Sequence, residues 1–587
     1  MWVLASDSDL ATPASPALAQ GQALYRWGQG LDAAPVVAIR AGRSVTGAAA
    51  ACVQCHRRSG LGQVEADLLI PPISGNFLVA DPSEKRLVNM DPRVSKLFNQ
   101  AHAPYTEASF AAALREGRHV SGRSLSAVMP RYPFSDADVQ ALWLYLRQLS
   151  AQPSPGADAG VVHLATVVTP DAAADAPRKQ VFVDMMQAIV RQKNGSTVPA
   201  TAQQLRTRHH MTSAAELVLG TERKWDLQVW ELHGGAETWQ AQLDAHYLAQ
   251  PVFALVSGLG QGNWQPVADF CNARQVPCWF PSVAAPPMAL TDYALYFSKG
   301  VGLEAELLAH WLQSHPAPVV QYVRSGSSGS AGAQTLVRAM AGAVAPVVTH
   351  WLPADGGLAA TALPPAPADA VRVYWLGAAD IGQLTAAMPE TGATGASPVP
   401  HIFFSGILAG GQTLALTPAW RSRSAWLYPY ALPQDRLRNL DYFQVWLNSQ
   451  HLPLRDVAMQ SEVFFAMNFL SDTLADMLDN LQRDYLLERA ETQISVREGT
   501  KAQQETRDRV YLGRQGDLEM KHGAMTMSPG LRIDVAATAA ASRVSSGTTM
   551  YRNLSLGPGQ RFAAKGGYIV RAAEDGSLQP LTPFLVP

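Results

Sequence analysis

From residue 161 onward, apolar positions fall into short, nearly continuous runs separated by stretches of helical spacing. Val161 to Val168, Asp226 to Leu232, Val252 to Ser257, Val276 to Phe280, Val319 to Val323, Val371 to Leu376 and Ile402 to Ser405 read as strands. Between them, Arg178 to Gln192, Glu237 to Ala249, Trp264 to Ala273, Leu303 to Gln313 and Gln334 to Ala341 read as helices. Strands this apolar, alternating with helices, predict parallel sheets covered on both faces. One doubly wound domain is too small for residues 161–587, so two lobes are expected. Upstream the texture is different. Leu24 to Trp27, stopped by Gly28 or Gly30, and Thr106 to Glu116, stopped by Gly117, read as helices. A third runs from Ser135 to Leu149, with Asp138 placed to complete an N-terminal cap and Val139, Leu142, Trp143 and Leu146 on one face. The expectation is an all-α domain over 21–150, a Pro/Ala/Gly linker over 151–160 and a bilobal α/β domain over 161–587.

Composition narrows the classes of function. No run of eighteen apolar residues occurs, so no membrane span is expected. Gly21 to Ser150 holds 14 Lys/Arg against 10 Asp/Glu, and the remainder 32 against 38, so neither part is basic enough for nucleic acid. The mild positive bias of the first part suits docking of an acidic protein partner. Met1 to Ala5 is too short for the apolar region of a signal peptide and lacks a basic flank. Ala17-Leu18-Ala19 nevertheless has the small-x-small form of a cleavage site, so residues 1–20 read as a truncated leader of an exported protein.

The most specific chemistry lies in Cys52-Val53-Gln54-Cys55-His56, the C-x-x-C-H pattern of covalent c-type haem attachment. Two thiols three residues apart share one side of a helical turn and can reach both vinyl edges of one porphyrin. His56 then supplies one axial ligand to the iron. For the second, Met129 stands before Pro130, with Pro133 beyond, in a stretch that cannot be helical and must be stiff. A thioether in that position raises the reduction potential. Met90, His102 and His119 are weaker alternatives. Zinc would need a fourth ligand and usually a second paired motif, and a thioredoxin-like site would sit beside a βαβ pattern. Neither is found here.

With these parts in place, residues 21–150 resemble a class I mono-haem cytochrome c domain. The resemblance rests on Leu24 to Trp27, Cys52 to His56, Pro71-Pro72-Ile73-Ser74-Gly75, Met129-Pro130 and the closing helix from Ser135. It implies one covalent haem c, iron held by His56 and Met129, single-electron transfer, an exported location and a redox partner such as a periplasmic dehydrogenase or another cytochrome. In an exported chain Cys271 and Cys278 are free to form a disulfide; the alternative is two reduced, buried thiols.

Residues from about 160 to 570 resemble a type I periplasmic binding protein of the kind that captures amino acids or amides. The element pattern carries this, with the helical block Asp441 to Arg489 and the closing stretches Tyr551 to Arg561 and Gly566 to Val570. The resemblance implies a ligand held between lobes by loops at the carboxyl ends of strands. Ser257 and Gly258 open one such loop, whose amides could face a carboxylate. Ser325 and Ser327 lie in a second, which reads equally as a flexible turn, and Ser405 begins a third. His209-His210 reads as exposed loop. No catalytic triad, phosphate loop or zinc-protease helix is found, so catalysis is not assigned. Three functions compete. The favoured one is an exported electron carrier fused to a module that senses a small molecule or docks a dehydrogenase. The second is a transport-type receptor for amino acids or amides with an accessory haem. The third, a haem enzyme, would need an open iron site.

Overall fold

A computed structural model describes residues 15–30, 33–65, 68–79, 102–197, 223–289, 291–342, 346–358, 363–387, 399–411, 416–495 and 549–587. Met90, His209 and His210 lie outside these residues. The chain forms two compact units: the first holds the described residues up to Gly160 with Thr197, Arg223 and Leu474–Arg489, and the second holds the rest.

In the first unit the opening helix runs Pro16–Trp27, longer than the four residues read from its apolar end. Ser15 caps it, proline occupies its first turn and Gly28 stops it, so Ala17, Leu18 and Ala19 lie within the helix. It packs against the closing helix Asp136–Gln148, where the Tyr25 and Tyr145 rings lie 5.5 Å apart. Ser135 and Asp138 form the expected reciprocal cap, and Thr106 with Ser109 forms another on Glu107–Arg115. Leu24, Tyr25, Phe110, Leu142, Trp143 and Leu146 make the core. The unit is not all helix. Two small antiparallel hairpins, β1 (Val37–Arg40) with β2 (Arg43–Thr46) and β3 (Gln63–Glu65) with β4 (Leu68–Ile70), correct that expectation. The first closes on Ala41 and Gly42, both left-handed at φ 48° and 79°, the geometry a tight hairpin needs. Residues 151–160, read as a linker, are hydrogen-bonded within this unit. Ser154 N donates to Leu481 O at 2.8 Å, and Arg483 Nη2 donates to Pro155 O at 3.0 Å.

The second unit contains two seven-stranded sheets. The first sheet comprises β5 (Val161–Val168), β6 (Lys224–Glu231), β7 (Ala254–Val256), β8 (Leu259–Gly260), β9 (Cys278–Trp279), β10 (Ser282–Val283) and β11 (Ala294–Leu295). Its order is β10-β8-β5-β7-β9-β11 with β6 on β5, and every pairing is parallel. The second sheet comprises β12 (Val319–Arg324), β13 (Val347–Leu352), β14 (Val371–Trp375), β15 (Ile402–Ser405), β16 (Ser424–Tyr428), β17 (Tyr568–Ala572) and β18 (Leu578–Pro580). It runs β13-β12-β14-β15-β16-β17-β18, parallel except for its last two strands. The bilobal α/β expectation is met, with an antiparallel edge added. Helix Gly329–Ala339 begins five residues earlier than its pattern indicated. Gly329 and Gly332, poor helix formers, face Trp375 so closely that a side chain would clash, and packing overrides propensity there.

The block Asp441 to Arg489 resolves into helices Pro433–Ser449, Val457–Met477 and 483–495, with Pro453 in the first break. Helix Val457–Met477 returns to the first sheet: Trp279 Nε1 donates to Ala466 O at 2.8 Å, and Phe280 meets Phe465 and Phe469. Cys271 and Cys278 are joined as a disulfide, Cα atoms 6.0 Å apart, tying helix Gln265–Arg274 to β9.

Candidate haem centre and candidate ligand cleft

Cys52 caps the one-turn helix Val53–His56, and its carbonyl accepts from Cys55 N and His56 N at 3.2 and 2.9 Å. Both thiols therefore leave a single turn, and neither is in a disulfide. Arg57, left-handed at φ 64°, turns the chain away directly after the histidine, and its carbonyl accepts from Tyr25 Oη at 2.6 Å. His56 is 6% exposed, and its Nδ1 lies 3.0 Å from Pro71 O. A carbonyl only accepts, so Nδ1 carries the hydrogen and Nε2 keeps its lone pair. This is the orientation in which a backbone carbonyl holds a metal-binding imidazole. Burial pushes the ring down to about 4, so it is neutral at physiological pH.

Met129 is half-buried against the same core as Cys52 and Val53. Its loop is pinned by more than its prolines. Arg131 Nη1 donates to Met129 O at 2.6 Å and Nη2 to Leu125 O at 3.0 Å, while Ile39 and Arg131 exchange backbone hydrogen bonds. Gly117, at φ 68°, makes room for that guanidinium: a Cβ there would fall 2.0 Å from Arg131. Arg131, which holds this loop, was not singled out in the sequence, where its only signal was its place after Met-Pro. His102 and His119 pack edge-to-face with each other and with Tyr105, ring centroids 5.3 to 5.7 Å apart.

The donor set fits a c-type haem. Porphyrin supplies four nitrogens, so the chain needs one imidazole and one thioether, with two thiols kept for covalent attachment. It fits zinc poorly: among the described residues no three His, Cys, Asp or Glu side chains gather as a metal cage.

A second feature of this unit escaped the sequence altogether. Ser59, three residues past His56, donates from its N and Oγ to Glu488 at 3.0 and 2.5 Å. Asp484, one turn earlier, pairs with Arg26 at 3.1 Å and with Arg58 at 3.3 Å. Burial raises Glu488 to about 7. These acids arrive more than four hundred residues after the C-x-x-C-H motif, and no local pattern announces them.

In the second unit, the three proposed ligand loops are occupied from within. Ser257 is buried and left-handed at φ 54°, its Oγ without a hydrogen-bond partner among the described residues. Gly258 and Gly260 lie under Trp264, where a Cβ would approach the indole to 2.6 and 2.8 Å. Gln261 N donates to Asp171 Oδ2 at 3.0 Å, so the carboxylate this loop faces is the chain's own. Ser325 N donates to Leu352 O on β13, and Ser327 donates from N and Oγ to Arg324 O, so that loop closes as a turn beside the strand pair. Ser405, wholly buried, donates to Glu304 Oε2 at 2.5 Å, and Ile407 N donates to Oε1 at 2.8 Å. None of these serines lines the cavity between the two sheets' loops. That cavity, about 340 Å³, is bounded by Asp175, Arg178, Ala409, Gly410, Asp456 and Met459, among others. Arg178 and Asp456 pair across it at 2.7 Å. Ala409 and Gly410 follow Ser405 by a few residues and line this cavity, while Ser405 itself does not.

No protein-family model matches the chain, and no curated protein does. Among solved structures, the chain is similar to a fatty acid ABC transporter substrate-binding protein from Thermomonospora curvata at 12% identity and TM-score 0.42, covering 74% of this chain and 95% of that one. It is similar to a leucine binding protein from Thermotoga maritima at 9% identity and TM-score 0.43, covering 73% and 99%. A branched chain amino acid ABC transporter protein from Thermus thermophilus, with bound valine, matches at 11% identity and TM-score 0.43, covering 73% and 97%.

Deeper in the same unit lies a buried polar cluster that the sequence did not reveal. Glu462 Oε2 accepts from Ser282 Oγ at 2.6 Å and Oε1 from Tyr551 Oη at 3.2 Å. Tyr430 stacks obliquely on Tyr551, centroids 5.1 Å apart. Burial pushes Glu304 up to about 8 and Glu462 to about 7.

Proposed function

We propose that the protein is an exported single-haem c-type electron carrier fused to a small-molecule-binding module of the periplasmic-binding-protein kind. The observation that carries this is the buried His56, its Nδ1 engaged by Pro71 O and its Nε2 lone pair left for a metal, one residue after a cysteine pair on a single turn. Haem bound there would supply a reversible one-electron couple. Cys52 and Cys55 would hold it through thioethers, His56 and Met129 would ligate its iron, and Arg131 would fix the methionine loop. The α/β unit would bind a small molecule in the cleft or dock a dehydrogenase, bringing the electron donor to the haem unit. Redox partners are then a periplasmic dehydrogenase or another cytochrome.

A transport-type receptor for amino acids or amides, with the haem as accessory, is the second reading; the two-sheet unit and its cavity favour it. Acid-acetone extraction of exported protein, followed by a visible spectrum, tests the first. Colour that stays with the polypeptide, is lost in Cys52→Ser/Cys55→Ser, and shows a sulfur-to-iron band that Met129→Ala removes is the expected outcome. Colourless or zinc-loaded protein would sink it.

A further inference from the structure

In the hairpin of β1 and β2, Ala38 is buried and Val45 packs against the core, so one face of these strands points inward. The alternate positions point outward, where a half-buried hairpin normally carries polar residues. On β2 they are Ser44 and Thr46, but on β1 they are Val37 and Ile39, 48% and 47% exposed. Apolar surface continues on either side. Val128 is exposed in the Met129 loop, which joins the other edge of β1 through the Ile39–Arg131 bonds and through Ala41 N donating to Ala127 O at 2.9 Å. Trp27, also exposed, ends the opening helix one residue before Gly28, whose carbonyl accepts from Val36 N at 2.8 Å. Single exposed apolar residues are ordinary, whereas a contiguous set of them marks an interaction surface.

The charges around this face have one sign. Residues 33–50 and 117–135 hold Arg40, Arg43, Arg118, Arg123 and Arg131 and no Asp or Glu. Glu116 pairs with Arg118 at 2.8 Å, and Arg131 spends its donors on the Met129 and Leu125 carbonyls. Arg40, Arg43 and Arg123 make no ion pair among the described residues. An apolar centre with an arginine rim complements a protein that presents carboxylates around an apolar spot. A membrane surface would ask for roughly four to eight clustered basic residues, more than this face leaves unpaired.

We propose that the β1–β2 hairpin and the Met129 loop form the docking surface for a redox partner, and that this partner is an acidic protein with an apolar patch among its carboxylates. That the partner exchanges electrons rests on the electron-carrier reading; that it is an acidic protein rests on the exposed strand face and its arginines. Val37 and Ile39 supply the dry contact, and Arg40, Arg43 and Arg123 steer the approach. Docking here sets the partner against the loop that carries Met129.

Biolayer interferometry of the full chain over an immobilised plant-type ferredoxin, an acidic redox protein, tests this without requiring colour. Binding is expected at low ionic strength and should weaken at least tenfold at high ionic strength. Arg43→Glu and Arg123→Glu should each weaken it several-fold at low ionic strength, and Val37→Ser/Ile39→Ser about tenfold at either. Lys224→Glu, an exposed change on β6 of the second unit, should leave it unaltered. No salt-sensitive binding, binding that the hairpin variants leave unchanged, or binding that Lys224→Glu weakens as much as Arg43→Glu does, overturns the proposal. Attachment to phosphatidylserine vesicles that Arg43→Glu abolishes, without binding to ferredoxin, also overturns it and assigns the face to a membrane. The expected binding by protein that carries no haem upholds the acidic-partner surface and sinks the electron-carrier reading instead.

Discussion

At the residue scale, the side chains that matter most are those holding others still. Gly117 is one: its left-handed backbone and lack of a side chain admit the Arg131 guanidinium that clasps the Met129 loop. Gly117→Ala should cost about 1–2 kcal/mol for the backbone alone, and more if Arg131 is expelled, read as a lowered denaturant midpoint. The same variant should weaken the sulfur-to-iron band of haem-loaded protein. The proposed ligands His56 and Met129 could be named from the sequence because C-x-x-C-H and Met-Pro are local patterns. Arg131, Gly117 and Glu488 were not, because their meaning lies in partners distant along the chain or in a backbone angle that sequence does not display.

Among the elements, legibility follows how strongly each segment is determined by its own residues. Helix Asp136–Gln148 was readable to its cap, and Ser135→Ala should cost about 1 kcal/mol by equilibrium unfolding. The strands β5, β12, β14 and β15, largely apolar, were readable for the same reason. Strand β13 was missed because it lies at a sheet edge and is half-exposed, so it lacks the continuous apolar run of a central strand. The hairpins of the first unit were missed because strands of three or four residues are too short to show a period. The Cys271–Cys278 link closes a loop of sequence separation 7, and its reduction should lower stability by roughly 2–3 kcal/mol. Comparing urea midpoints with and without reductant measures this; an unchanged midpoint would mean that helix Gln265–Arg274 and β9 hold each other without it.

For the whole molecule, the buried acids of the α/β unit set the direction of its pH response. Glu304 and Glu462 rise from 4.5 in the open chain to about 8 and about 7 when folded, so above pH 4.5 the unfolded chain sheds protons that the folded one keeps. Stability should therefore fall as pH rises through that window, by up to roughly 1.4 kcal/mol per pH unit for each group still protonated. Urea unfolding at pH 5 and pH 8.5 should show the higher midpoint at pH 5, and Glu304→Gln, neutral at both, should narrow the gap. An equal or higher midpoint at pH 8.5 would contradict the assignment.

The late acids of the first unit bear on how this gene can be cut. Ending a recombinant fragment at Gly160 looks natural from the sequence, yet it would discard Asp484 and Glu488 and strand Arg26, Arg58 and Ser59 without their counterparts. Such a fragment should mature poorly, whereas supplying residues 474–489 as a separate peptide, or circularly permuting the gene to bring them alongside, should restore it. The first unit is thus not a bead at the head of a string but a structure that the chain completes with Leu474–Arg489.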